Sequence, residues 1–169
     1  MSILGLGFDA TDIPRVRDVY ARYGDRFLHR VFTDGEIAYA TRHRDPVPSL
    51  AARFAAKEAT MKALGTGHSR GVLWKDIEVF RHGGPPQLRL TAGALRRFDA
   101  MQARRSLLTI THSDALAMAQ VAPPQRSEVV IRVTAPDPAA FSRPTGNTHL
   151  LRRLPKTLRI SPRPVHALR

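Results

Sequence analysis

The chain has 169 residues, 43% of them hydrophobic, which allows one folded core with room for an appendage. It contains no cysteine, so disulfides and thiolate-held zinc are excluded. A formal net charge of +13 implies an anionic partner: nucleic acid, a membrane surface, a phosphorylated ligand or an acidic protein.

The charge is uneven. Residues 1–121 carry 18 Lys/Arg against 12 Asp/Glu, whereas residues 122–169 carry 9 against 2. That last stretch also holds 8 of the 13 prolines, whose fixed φ and missing N–H forbid a long helix. The sequence therefore divides into a compact domain, 1–122, and a basic, proline-rich, mostly disordered tail, 123–169. Apolar runs fall short of the ~18 residues of a spanning helix. Met1-Ser2-Ile3-Leu4-Gly5 lacks the basic start and cleavage site of a secretory signal. A cytoplasmic protein with no membrane association is expected.

Along the domain, Ile3 to Ala10 is apolar and glycine-punctuated, the pattern of a buried strand. Arg15, Arg22, Arg26 and Arg30 then mark an early helical region with Phe27 beside them. Thr33-Asp34-Gly35-Glu36 has the form of a capping box opening a short helix to about His43. Pro46 and Pro48 precede a stronger helix, Ser49 to Leu64, stopped by Gly65-Thr66-Gly67. Asp76 to Arg81 and Gln87 to Thr91 read as strands joined through Gly83-Gly84-Pro85-Pro86. Ala92 to Arg104 reads as a helix. Ser106 to Thr111 and Ala115 to Ala122 read as a hairpin turning at His112-Ser113-Asp114. The irregular alternation predicts an α+β fold, a largely antiparallel sheet with packed helices.

Chemistry concentrates in the helix before Gly65. Arg53 and Lys57 are one turn apart and share a face, an arrangement of like charges that favours an anion between them. Glu58 and Lys62 are a second pair at the same spacing, offset around the helix. Ala55, Ala56, Ala59 and Ala63 make a small-residue stripe that permits close packing. Asp9 closes the first strand, and Asp9 with Glu58 is a donor pair suited to Mg²⁺, which takes one or two carboxylates and completes its shell with water and phosphate. Taken singly, each pattern also fits an ordinary solvated face, a turn-capping aspartate or a structural histidine.

Together these segments resemble one family. Gly5-Leu-Gly-Phe-Asp9-Ala-Thr-Asp-Ile13-Pro-Arg15, then Arg53-Phe-Ala-Ala-Lys57-Glu58-Ala-Thr-Met-Lys62-Ala-Leu-Gly65-Thr-Gly67, then Trp74-Lys-Asp-Ile-Glu-Val79, then Thr109-Ile-Thr-His112-Ser occur in that order. The run resembles holo-[acyl-carrier-protein] synthase, the small bacterial class of phosphopantetheinyl transferases, over about residues 2–122. The resemblance implies a homotrimer with active sites between subunits. It implies Mg²⁺ on Asp9 and Glu58, and coenzyme A on Arg53, Lys57, Lys62, Gly65 and His112, the histidine reaching in from a neighbouring subunit. Glu58, Lys62 and His112 become the catalytic candidates, and Arg15, Arg22 and Arg26 the grip on an acidic acyl carrier protein. The chain departs from the family at Asp12, where a glutamate is common, at Pro14, and in its tail. The competing expectation is a non-enzymatic nucleic-acid-binding protein, which the charge allows but no recognisable binding motif supports.

Overall fold

The structure, a computed structural model, describes residues 3–68 and 70–124. The first strand, β1 (Gly7–Asp12), leads into helices α1 (Ile13–Tyr23), α2 (Asp25–Val31), α3 (Asp34–Ala40) and the long α4 (Val47–Leu64). A single 3₁₀ turn at Trp74–Asp76 opens the hairpin β2 (Ile77–Phe80) and β3 (Gln87–Leu90). Helix α5 (Ala92–Ala100) and the hairpin β4 (Leu107–His112) and β5 (Leu116–Ala122) complete the domain. Two antiparallel sheets result: a three-stranded one in the order β1-β5-β4, and the β2-β3 ribbon. The α+β antiparallel architecture is the one expected.

Local chemistry sets the boundaries. Asp12 is the N-cap of α1 and accepts a hydrogen bond from the Arg15 N–H at 2.8 Å. Pro14 sits in that first turn, where its missing N–H costs nothing. Gly24, at φ 49°, breaks the early helical region into α1 and α2. The Thr33–Glu36 capping box forms as expected, although α3 stops at Ala40. Gly65, at φ 68°, ends α4 in the left-handed conformation, and Arg97 Nε donates to the Leu64 carbonyl at 2.8 Å, placing a cation at the helix C-terminus.

Helix α4 begins at Val47 rather than Ser49, taking Pro48 into its first turn, and three further boundaries differ from expectation. The first strand begins at Gly7 rather than Ile3 and runs on through Asp12. Its ladder partner β5 stops at Ala122 because Pro123 and Pro124 have no N–H to donate, so the chain before Gly7 makes only an isolated bridge, Ile3 to Pro124. Helix α5 ends at Ala100 rather than Arg104, where Gln102 turns to φ 58°. The domain also reaches beyond residue 122. Pro123 and Pro124 are fully buried, and the Leu4 N–H donates to the Pro123 carbonyl at 3.0 Å. The rest of the expected tail, from residue 125 on, lies outside the described residues.

Helix α4 lies at the centre of the domain, with Ala51, Ala55, Ala56 and Ala59 fully buried. β1 crosses its alanine stripe at backbone distance: a methyl built on Gly7 would collide with the Ala59 carbonyl, and one on Gly5 with the Ala63 carbonyl. The obstacles are backbone atoms of a packed helix, which cannot rotate away. Gly7→Ala should therefore destabilise the protein by roughly 2–4 kcal/mol in urea unfolding, an overpacking cost rather than a propensity cost. Truncation after Ala122 should lose about 1–2 kcal/mol relative to truncation after Gln125, because only the longer chain retains the buried prolines.

Candidate active site

The close approach of β1 to α4 determines what meets what. Gly7, Asp9 and Thr11 alternate on the strand face turned toward the helix, the first and last of them buried. Asp9 is thereby set against the C-terminal half of α4. Its Oδ2 accepts from Thr11 Oγ1 at 2.8 Å, and its Oδ1 is ion-paired with Lys62 Nζ at 2.8 Å. Lys62 Nζ also donates to the Phe8 carbonyl at 3.0 Å. Asp9 keeps 15% of its side-chain surface and Lys62 keeps 49%, so the pair opens to solvent on the lysine side.

Glu58 stands one helical turn before Lys62 on the same face. Its carboxyl is held above the usual range, first by burial and next by the nearby Asp9 charge, with Lys62 and His68 pulling the other way. No other described residue gives it a hydrogen bond. Two carboxylates, one of them without a hydrogen-bond partner among the described residues, offer hard oxygen donors, the donor chemistry that Mg²⁺ requires.

Arg53 and Lys57 belong to another face. Arg53 and Lys62 are nine positions apart, about two and a half helical turns, so they project on opposite sides of α4. Arg53 is 6% exposed. Its Nη1 donates to Ser49 Oγ at 2.6 Å and its guanidinium lies over the Tyr39 ring at 4.2 Å, while its Nε has no hydrogen-bond partner. Burial lowers its pKa, and the neighbouring Arg81 adds to that effect. With Arg42, Arg81, Tyr39, Phe80 and Glu78, whose carboxylate is paired with Arg89 at 2.7 Å, it lines a cleft of about 200 Å³. Sequence reading passed over Arg42 and Arg81. They lie just beyond α3 and β2, and only the packing of those elements on α4 brings them to Arg53.

Lys57 departs from the expected contact with coenzyme A phosphate. Its side chain is fully buried and ion-paired with Glu36 Oε2 at 2.8 Å. Nζ also donates to the Trp74 and Ile77 carbonyls, so all three of its N–H bonds are used inside the fold. Glu36 accepts from the Val79 and Thr33 N–H groups, both at 2.9 Å. The pair ties α3, α4, the 3₁₀ turn and β2 together, and leaves Lys57 no donor for a ligand.

His112 ends β4, exposed, and its register partner is Ala117, which pairs with Thr11. Two strand spacings, about 10 Å, separate it from β1, so one chain does not bring it to Asp9. The histidine close to Glu58 is instead His68, three residues past Gly65 and packed on the Trp74 ring at 4.9 Å, a ring that also stacks on Phe54 at 4.9 Å. Gly65 serves as the cap of α4. Arg15, Arg22 and Arg26 are exposed along α1 and α2 with no carboxylate partner among the described residues, whereas Arg17 is paired with Asp45 at 2.6 Å. Asp12, at the position where the family commonly has a glutamate, caps α1.

The profile of the ACPS family, described as the 4'-phosphopantetheinyl transferase superfamily, matches residues 5–119. The chain belongs to that superfamily. The holo-[acyl-carrier-protein] synthase of Methylobacterium nodulans is 48% identical over 121 residues, spanning 70% of this chain and 92% of that one. Among solved structures, the holo-[acyl-carrier-protein] synthase of Neisseria meningitidis is similar with a TM-score of 0.66 at 29% identity, covering 73% of this chain and 99% of that one. The Bacillus anthracis synthase, solved in complex with coenzyme A (3',5'-ADP), has a TM-score of 0.60 at 32% identity and covers 72% of this chain and 96% of that one. This chain is accordingly an enzyme of the holo-[acyl-carrier-protein] synthase kind, a phosphopantetheinyl transferase, and the non-enzymatic reading of its charge falls away.

The raised Glu58 carboxyl carries a stability consequence. The native chain holds that proton to higher pH than the unfolded chain, so this group's contribution is present below the ordinary value of 4.5 and is lost as pH rises through the folded value. In a chelating buffer at neutral pH, Glu58→Gln should melt above the wild type. The difference should close as pH is lowered toward the ordinary carboxylate range. Thermal melts at both pH values check this.

Proposed function

We propose that the chain transfers the 4'-phosphopantetheine arm of coenzyme A to a serine of apo acyl carrier protein, with Mg²⁺, releasing adenosine 3',5'-bisphosphate. The observation that carries the proposal is the meeting of Asp9, Glu58 and Lys62 in one open site, two carboxylates and a half-exposed cation. Asp9 and Glu58 would hold the metal, and once bound it would offset the pyrophosphate charge and polarise the phosphorus under attack. The carrier serine oxygen forms a bond to the β-phosphorus. The bond from that phosphorus to its bridging oxygen breaks, and the nucleotide leaves with the electron pair. Glu58, which faces the site beside Asp9, takes the serine proton directly or through a water. Lys62 stabilises the charge gathering on the phosphoryl oxygens.

The arginine cleft suits the remaining phosphates of coenzyme A, but it occupies the opposite side of α4 from Lys62. One ligand reaches both kinds of residue when two copies of the chain face each other. The sheet supports such an assembly. Its outward face carries Phe8 at 55% and Leu116 at 39% exposure, with Ala10 and Met118 between them in register. We assign this face to a homotrimer in which His112 and Arg53 serve a neighbour's Asp9–Glu58 site. The exposed Arg15, Arg22 and Arg26 would meet the acidic carrier, of fatty-acid or polyketide type. Among the described residues no helix is long and apolar enough to cross a membrane.

Asp9→Ala and Glu58→Ala should each reduce transfer at least about 10³-fold, the scale of losing a metal or general-base contribution, with melting curves that stay cooperative. Mass spectrometry of apo carrier protein incubated with coenzyme A and Mg²⁺ measures the added arm. Near-wild-type turnover of either variant at low Mg²⁺ would contradict the assignment.

A further inference from the structure

Lys62 is half exposed, and its ammonium is nevertheless held on the protein side of the site. Its Nζ is bonded to Asp9 Oδ1 at 2.8 Å and to the Phe8 carbonyl at 3.0 Å. It therefore holds one of the two Asp9 oxygens that would be open to a metal. Thr11 holds the other oxygen, Oδ2, at 2.8 Å, so a cation meeting Asp9 on its open side meets Lys62 first. Glu58, one turn away, has only long-range attraction from Lys62, so the ammonium is committed to one carboxylate of the two.

We propose that Lys62 is a built-in stand-in cation: it pairs Asp9 when the site holds no substrate and is displaced onto a phosphate as the metal binds, which couples metal binding to the arrival of an anionic substrate. The inference rests on the Asp9–Glu58 metal site proposed above. A divalent ion placed on Asp9 Oδ1 repels an ammonium a few ångströms away, and the repulsion is relieved only if the lysine leaves. It can leave, because the side chain is half exposed. A phosphate bridging to the metal gives it a new partner at hydrogen-bond distance. Metal and phosphate ligand then help each other bind, by a reciprocal coupling that passes through one side chain. Without the anion, the lysine competes with the metal. A site built this way holds little metal until coenzyme A is present and avoids trapping the ion unproductively.

The test measures metal binding rather than turnover. Mn²⁺ binding to the full chain is followed by electron paramagnetic resonance, with and without coenzyme A, for the wild type, Lys62→Met and the charge-retaining Lys62→Arg, each checked for folding by circular dichroism. With no coenzyme A, Lys62→Met should bind Mn²⁺ on the order of tenfold tighter than the wild type, since an ion pair and a repulsion are both removed. Lys62→Arg should stay near the wild type. Coenzyme A should tighten Mn²⁺ binding to the wild type severalfold more than to Lys62→Met. Equal or weaker Mn²⁺ binding by Lys62→Met, with an undiminished coenzyme A effect, would overturn the stand-in role and leave the metal site standing. Absence of Mn²⁺ binding from every variant, with coenzyme A present, would instead overturn the metal site itself, and the stand-in role with it.

Discussion

The arrangement depends on one close approach, that of β1 to α4 across the alanine stripe. Gly5 and Gly7 bring the strand's backbone against the helix, where any side chain would collide with helix carbonyls. That contact sets Asp9 beside Glu58 and Lys62. A strand held a few ångströms farther out would part the two carboxylates. The fold gives up ordinary side-chain packing along this seam, and gains in return a polar site resting on rigid backbone at both edges.

A second constraint acts from within. The fully buried Lys57–Glu36 pair fixes the rotation of α4 against α3 and β2, since both ends of the pair are also bonded to backbone groups. Breaking such a pair leaves an unpaired charge in the core, at a cost of about 3–5 kcal/mol. The pair therefore indexes the helix more than it strengthens it, and the index decides which residues look outward on each side. Arg53 faces the arginine cleft, and Glu58 and Lys62 face Asp9. Helix α4 thus presents Arg53 on one side and Glu58 with Lys62 on the other.

Much of this was legible in the sequence. The capping box, the left-handed stop at Gly65, the α+β class and the alanine stripe all follow from local rules, and all are present. The pairing of Asp9 with the Glu58–Lys62 face followed from motif order rather than from geometry. What escaped was nonlocal. Lys57 lies in the same run of charged residues as Lys62, and sequence offers no means of telling a buried lysine from an exposed one until its partner, Glu36, is known to lie across the core. Arg42, Arg81 and His68 sit in connections whose positions depend on how neighbouring helices pack. The strand boundary at Gly7 was missed because it depends on two prolines more than a hundred residues later in the chain.

We propose that each active site is completed across copies of the chain, Asp9 and Glu58 of one copy working with His112 of another. Mixed assemblies test it directly. Chains carrying Asp9→Ala and chains carrying His112→Ala, each nearly inactive alone, are unfolded together, refolded and assayed for phosphopantetheine transfer. Sites shared between copies predict recovery to roughly a quarter of wild-type activity, the share of interfaces that receive both intact residues by random assortment. A mixture no more active than the mean of its two components, from assemblies verified to have exchanged, would place the whole site within one chain and contradict the account.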